Sequence, residues 1–165
     1  MKTLIVYCSS HGTTEKAVGL LSEHIEGEIL SVDLKREKTI FDLNNFDTII
    51  IGGSIHAGAI QRKIKQFIQK HHVVLLEKNV GLFLCCFREG ETAIQQFNDA
   101  FPQDLRKNSV AMGLFGGELL VSKMNFFERK VVKKVDGITT DQSHLDMEAI
   151  YEFATRLNRL KSLVY

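Results

Sequence analysis

Residues 4–14 read LIVYCSSHGTT, and the residues after them, EKAVGLLSEHI (15–25), change period. LIVYC (4–8) is a continuous run of apolar, β-prone residues, the pattern of a strand buried on both faces. Ala17, Val18, Leu21 and Ile25 then recur at helical spacing. The turn between them, Ser9-Ser10-His11-Gly12-Thr13-Thr14, holds hydroxyls, one glycine and no lysine or arginine. A strand that turns straight into a helix leaves backbone N–H groups free at the positive end of the helix, where an anion is favoured. Hydroxyls at 9, 10, 13 and 14 can donate to phosphate oxygens, and Gly12 lets the backbone come close. A hydroxyl-rich helix cap with no ligand is the other reading of the same turn.

The alternation continues along the chain. EILSVDL (28–34) reads as a more exposed strand, and TIIIGG (48–53) as a fully buried strand capped by glycines. Ile60, Ile64, Phe67 and Ile68 mark the next helix, VGLFLCCF (80–87) the next strand, and Ile94, Phe97 and Phe101 the helix after it. SVAMGLFGG (109–117) is the fifth strand. A last helix starts near Asp146, an N-cap, with Met147, Ile150, Phe153, Ala154, Leu157 and Leu160 facing inward. Strands alternating with helices imply parallel pairing, and apolar strands imply a sheet covered on both faces. The expectation is one α/β domain over 1–165, a doubly wound five-stranded parallel sheet of order 2-1-3-4-5. Ligands of such sheets sit beyond the carboxyl ends of the strands, where the strand order reverses, here between the first and third strands.

One stretch exceeds this minimal plan. Residues 118–145 follow the fifth strand where a short connection would suffice. Met124, Phe127, Val131 and Val135 form a helical seam in it, surrounded by Lys123, Arg129, Lys130, Lys133 and Lys134. The insertion leaves the carboxyl end of its strand, so it belongs on the ligand side. It suits an anionic substrate or a membrane surface met through an amphipathic helix; a solvated helix packing its apolar seam on the domain is the alternative.

Composition bounds the function classes. The chain has 165 residues, 44% hydrophobic and 25% charged, with a net charge of +1, which leaves no basic footprint for nucleic acid. No apolar run reaches the ~18–20 residues of a membrane span, and no signal-peptide pattern opens the chain, so a cytoplasmic location is expected. Cys8, Cys85 and Cys86 have no CxxC spacing, so neither a disulfide framework nor a metal site is expected. Competing motifs are missing as well. There is no GxxxxGK[ST] and no GxGxxG, and Gly53-Ser54 lacks the second glycine of a GxSxG nucleophile elbow. Phosphoacceptor receivers share the strand order but need acidic residues where this chain has Cys8-Ser9-Ser10 and Gly52-Gly53-Ser54.

SSHGTT resembles the S/T-x-T-G-x-T phosphate loop of flavodoxins, with His11 in place of a threonine. The resemblance implies FMN as cofactor, its phosphate held by Ser9, Ser10, His11, Gly12, Thr13 and Thr14. IIIGGSIHAGAI (49–60) matches the loop that meets the isoalloxazine ring, which implicates Ser54, Ile55, His56, Ala57 and Gly58. His56 stands about where many flavodoxins carry a stacking aromatic; an exposed loop histidine is the other reading. The loop after the fourth strand would border the far side of the ring through Cys86, Phe87 and Arg88, with Arg88 facing an acidic substrate or the ring's N1–O2 edge. Cys85 and Cys86 read as strand thiols without a redox role.

Nearly the whole chain is similar to the flavodoxin-type, menaquinone-dependent protoporphyrinogen oxidases, through MKTLIVYCSSHGTT, IIIGGSIHAGAIQRKIKQFIQKH and FFERKVVKKVDGITTD. The chain departs from that family in a shorter stretch around 87–108 and in His56 where arginine is expected. The resemblance implies an FMN-dependent oxidoreductase of heme biosynthesis that takes electrons from a porphyrinogen and passes them to a quinone, with peripheral contact at the inner membrane face. The alternative is an electron-transfer flavodoxin serving a redox-partner protein. Strong acidity favours the shuttle and is missing here, at a sequence pI of about 7.8; the 118–145 insertion favours the enzyme. No side chain is an obvious acid–base catalyst, and the chemistry belongs to the flavin.

Overall fold

The structure, a computed structural model, describes residues 1–37 and 41–162, with side chains through Leu160. Its elements in chain order are β1 (Lys2–Tyr7), α1 (Thr13–His24), β2 (Glu28–Asp33), β3 (Thr48–His56), β4 (Ala59–Ile60), α2 (Arg62–Leu76), β5 (Asn79–Cys85), α3 (Gly90–Ala100), α4 (Gln103–Asn108), β6 (Ala111–Leu114), β7 (Gly116–Leu119), α5 (Phe126–Asp136), β8 (Gln142–Leu145) and α6 (Met147–Ser162). β2, β1, β3, β5 and β6 form a parallel sheet in that spatial order, so the long strands follow the expected 2-1-3-4-5 path.

The apolar runs are explained by what lies on each face. Leu4, Val6, Ile49, Ile51, Leu82 and Leu84 point to one side, under α2 and α3 with Ile64, Phe67, Ile68, Phe97 and Phe101. The intervening Ile5, Ile50 and Phe83 point to the other, under α1 and α6 with Leu21, Ile150, Phe153 and Leu157. A strand buried on both faces cannot alternate polar and apolar residues. Each fully buried aliphatic side chain contributes about 1.5–3 kcal/mol. Truncating the wholly buried Ile50 to alanine costs about 2–5 kcal/mol because a cavity remains.

Several expected details differ. β3 does not stop at its glycines but runs on to His56. Gly52 lies inside the strand, where a Cβ would enter the Phe83 ring, and that ring stacks on Phe115 at 4.8 Å. Ile60 belongs to β4 and not to the following helix. Ile94 and Met147 are exposed, not inward. In α3 the small Ala93 and Ala100 take the buried face with Phe97, which turns Ile94 outward. Asp146 caps α6 as expected, its carboxylate accepting from the Ala149 N–H at 2.9 Å.

The fifth long strand ends at Leu114, short of Gly117. Gly116 then takes a left-handed φ of +65°, and a Cβ there would run into the His144 carbonyl. The chain leaves the sheet at this point as β7, pairs antiparallel with β8, and carries α5 at the far end of the ribbon. A capping box between Asn125 and Glu128 starts α5, and Gly137, also left-handed, ends it. No residue of α5 is buried. The apolar seam is therefore not packed into the core.

Candidate functional site

The carboxyl ends of β1, β3 and β5 open into a cavity of about 670 Å³. Ser9, Ser10, His11, Thr13 and Thr14 line it from the first turn, Ser54–Gly58 from the β3–β4 hairpin, and Cys86, Phe87 and Arg88 from the loop after β5. Of the residues that the resemblance assigns to the cofactor, Gly12 alone stands outside the lining. Gly12 instead sets the shape of the turn with a φ of +97°, which an L side chain rarely adopts.

The first turn is organised around Ser9. Its Oγ accepts from the Gly12 N–H at 3.1 Å and the Glu15 N–H at 3.4 Å, which leaves the amides of Thr13 and Thr14 at the helix start. Thr13 does not offer its hydroxyl to the cavity. It donates to Glu118 Oε2 at 3.2 Å, which engages it within the protein. Thr14 is different: it is 1% exposed, and its Oγ1 has no hydrogen-bond partner among the described residues. The Cys85 thiol is close enough to be influenced by this hydroxyl, but a thiol is a weak partner. A buried hydroxyl left unpaired costs about 1–3 kcal/mol, so this atom is poised for something it lacks.

The loop after β3 is a two-residue hairpin. His56 pairs with Ala59, and both Ala57 (φ +48°) and Gly58 (φ +79°) are left-handed, as a type I′ turn requires. For Ala57 that conformation costs on the order of 1–2 kcal/mol, a strain of the kind that collects at functional sites. Gln61 fixes the hairpin to the first turn. Its Oε1 accepts from the Ser54 N–H at 2.9 Å, and its Nε2 donates to Ser54 Oγ at 2.6 Å and to the Cys8 carbonyl at 3.0 Å. The His56 ring faces that of His11, 5.3 Å between centroids. Burial, and then the nearby His11, hold the His56 imidazole below its ordinary range. Glu128 Oε1 approaches His11 Nε2 at 3.5 Å, so these side chains bring three lone-pair donors within 4.8 Å of one another.

Arg88 does not face the cavity as a free cation; its guanidinium pairs with Asp136 at the end of α5. Phe87 meets His144 of β8 edge to face at 5.3 Å. Cys85 and Cys86 are unpaired and point into opposite faces of the sheet, which keeps them from each other. Burial pushes their thiols up to about 12 and about 11, so neither is a nucleophile near neutral pH.

α5 spans the cavity. Glu128 holds its first turn to His11, and Asp136 holds its last to Arg88. Met124, just before the helix, and Phe127, Val131 and Val135 on it form an apolar wall. The ribbon beneath is anchored by Glu118, which accepts from Thr13, from Lys16 at 2.9 Å and from Ser143 at 2.9 Å. Burial pushes the Glu118 carboxyl up, but these hydrogen bonds outweigh it and leave it below the ordinary carboxylate range.

Sequence reasoning missed Gln61, Gln96, Glu118 and Glu128. Gln96 lines the cavity from α3 with its buried Oε1 unpartnered among the described residues. Only the N-cap place of Gln61 before α2 and the Asn125-x-x-Glu128 capping box left a local signal.

Residues 4–146 match the Flavodoxin domain family. The chain belongs to the flavodoxin family. That family binds FMN. The flavodoxin fold is also found in solved structures of low identity. Two-electron reduced Megasphaera elsdenii flavodoxin superposes with a TM-score of 0.61 at 16% identity, covering 95% of this chain and 98% of that one. Oxidised flavodoxin 1 from Bacillus cereus gives 0.57 at 18%, covering 96% and 98%. Rubredoxin oxygen:oxidoreductase from Desulfovibrio gigas gives 0.61 at 15%, with 98% of this chain matched to 36% of that larger one. No curated protein matches this chain. Among the described residues no helix is long and apolar enough to cross a membrane.

Proposed function

We propose that this chain is an FMN-dependent electron-transfer flavoprotein that exchanges electrons with a redox-partner protein. The observation that carries the reading is the buried Thr14 hydroxyl, unpartnered among the described residues, beside the first-turn amides of α1, which a helix leaves without intrahelical partners. A phosphate there would accept from these donors, which fits the phosphate of FMN. The β3–β4 hairpin, from Ser54 to Gly58, and the Cys86–Arg88 loop would hold the ring between them, and α5 would exclude water from one side. FMN, when bound, supplies one- and two-electron transfer at its isoalloxazine ring. The chain's own part is to bind, orient and shield.

A second reading has an observation of its own. The exposed apolar side chains of Phe127, Val131 and Val135 are turned to the cavity, as a wall for a flat organic donor or a quinone. It supports an oxidoreductase of the protoporphyrinogen oxidase type, with Lys130, Lys133 and Lys134 meeting an anionic substrate or membrane surface. The absorbance spectrum of the purified protein tests the shared claim: flavin bands lost on acid precipitation and restored by FMN are expected. Turnover with protoporphyrinogen and a quinone then separates the readings. Turnover that falls when the three lysines are reversed to glutamate supports the enzyme; no turnover, with electron exchange to a reduced partner protein, supports the carrier.

A further inference from the structure

We infer that Lys123, carried in from the insertion, supplies the positive charge that the phosphate-binding turn itself lacks, and so selects for a phosphorylated flavin. This rests on the reading of residues 9–14 as the FMN phosphate loop. The turn contains no lysine or arginine, and carboxylates surround it. Glu118 accepts from Thr13, Asp33 accepts from the Ser9 N–H at 3.4 Å, and Glu128 faces His11. Glu118 is matched by Lys16 and Asp33 by Arg36, so these pairs leave no net positive charge for a dianionic phosphate entering there, and a further cation must supply it.

Most cations near the turn are committed. Lys16 Nζ lies 2.9 Å from Glu118, Arg36 lies 2.8 Å from Glu15, and Arg129 donates to the carbonyls of Met124 and Ser122. Lys123 Nζ reaches the turn from 112 residues away and donates to the neutral carbonyl of His11 at 3.4 Å. The same ammonium lies 3.6 Å from where a Cβ on Gly12 would stand. Asp141 also feels its charge, but both Asp141 oxygens are taken by Ser122, through its N–H at 2.8 Å and its hydroxyl at 2.6 Å. That double contact, with Arg129 on the Ser122 carbonyl, fixes the backbone that presents Lys123. Lys123 lies outside the cavity lining, so it is a positioning charge beside the loop and not a direct ligand.

The test compares FMN and riboflavin affinities of the apoprotein for wild type, Lys123→Gln and Lys123→Arg, at low and high salt. Lys123 is exposed, so the variants fold. Lys123→Gln should lose about three- to tenfold in FMN affinity at low salt, a loss that shrinks at high salt and leaves riboflavin unchanged, while Lys123→Arg keeps most of it. Wild type that prefers FMN while Lys123→Gln binds it equally well overturns this inference and leaves the phosphate loop standing. An equal loss for both flavins makes Lys123 a structural residue and also overturns it. Wild type that binds both flavins alike overturns the loop reading and the inference together.

Discussion

Glu118, at the root of the β7–β8 ribbon, accepts a hydrogen bond from Thr13 at the start of α1, 3.2 Å away and 105 residues earlier in the chain. The insertion is thus tied to the turn at the centre of the site, and its effect on that turn can be measured. Glu118→Ala leaves Thr13, Lys16 and Ser143 without their acceptor and should cost about 1–3 kcal/mol in denaturant unfolding. Because the folded Glu118 carboxyl lies below its ordinary value of 4.5, its contribution is present above that pH and is lost as pH falls through the lower, folded value. An unchanged midpoint at neutral pH would show that the ribbon is not held this way.

Thr14→Val removes a hydroxyl that the protein alone does not pair. Apoprotein stability should hold or rise, since a buried unsatisfied group is deleted. FMN binding should weaken by about 1–3 kcal/mol with riboflavin unaffected. Parallel losses for both flavins would point to a damaged turn.

His56 gives a pH dependence. With its folded pKa lowered from 6.5 by burial and then by His11, the folded state binds fewer protons than the unfolded state below that pH. Stability therefore rises with pH from the folded value up to about 6.5 and is flat above it. Acidifying from neutral to about pH 5.5 should destabilise the apoprotein, and His56→Gln should recover part of the loss. Superimposable pH profiles for the two proteins would contradict the assignment.

Arg88→Ala should free the last turn of α5 by deleting its pair with Asp136. Amide exchange over 126–136 should speed up while β1, β3 and β5 keep their protection, because no residue of α5 is buried in the core. Exchange that stays unchanged in α5 would mean the apolar wall holds the helix by itself.

The sheet was legible because burial on both faces leaves continuous apolar runs, as in LIVYC and TIII, and the cavity was legible because SSHGTT and GGSIHAG are contiguous in sequence. What escaped depends on contacts between distant residues. Nothing local says that Glu118 will meet Thr13, or that Arg88 will be used by Asp136 and not by a ligand. The break at Gly116 turns on a close approach to His144 that only the folded ribbon creates. The seam of α5 has helical period but no core partner, and periodicity cannot tell a core face from a cavity wall.

Titration of the apoprotein with FMN and with riboflavin isolates the phosphate site, because the two ligands differ only in the phosphate assigned to the Ser9–Thr14 turn. FMN should bind tighter by at least about tenfold, or roughly 1.4 kcal/mol. Equal affinity for the two would contradict that assignment.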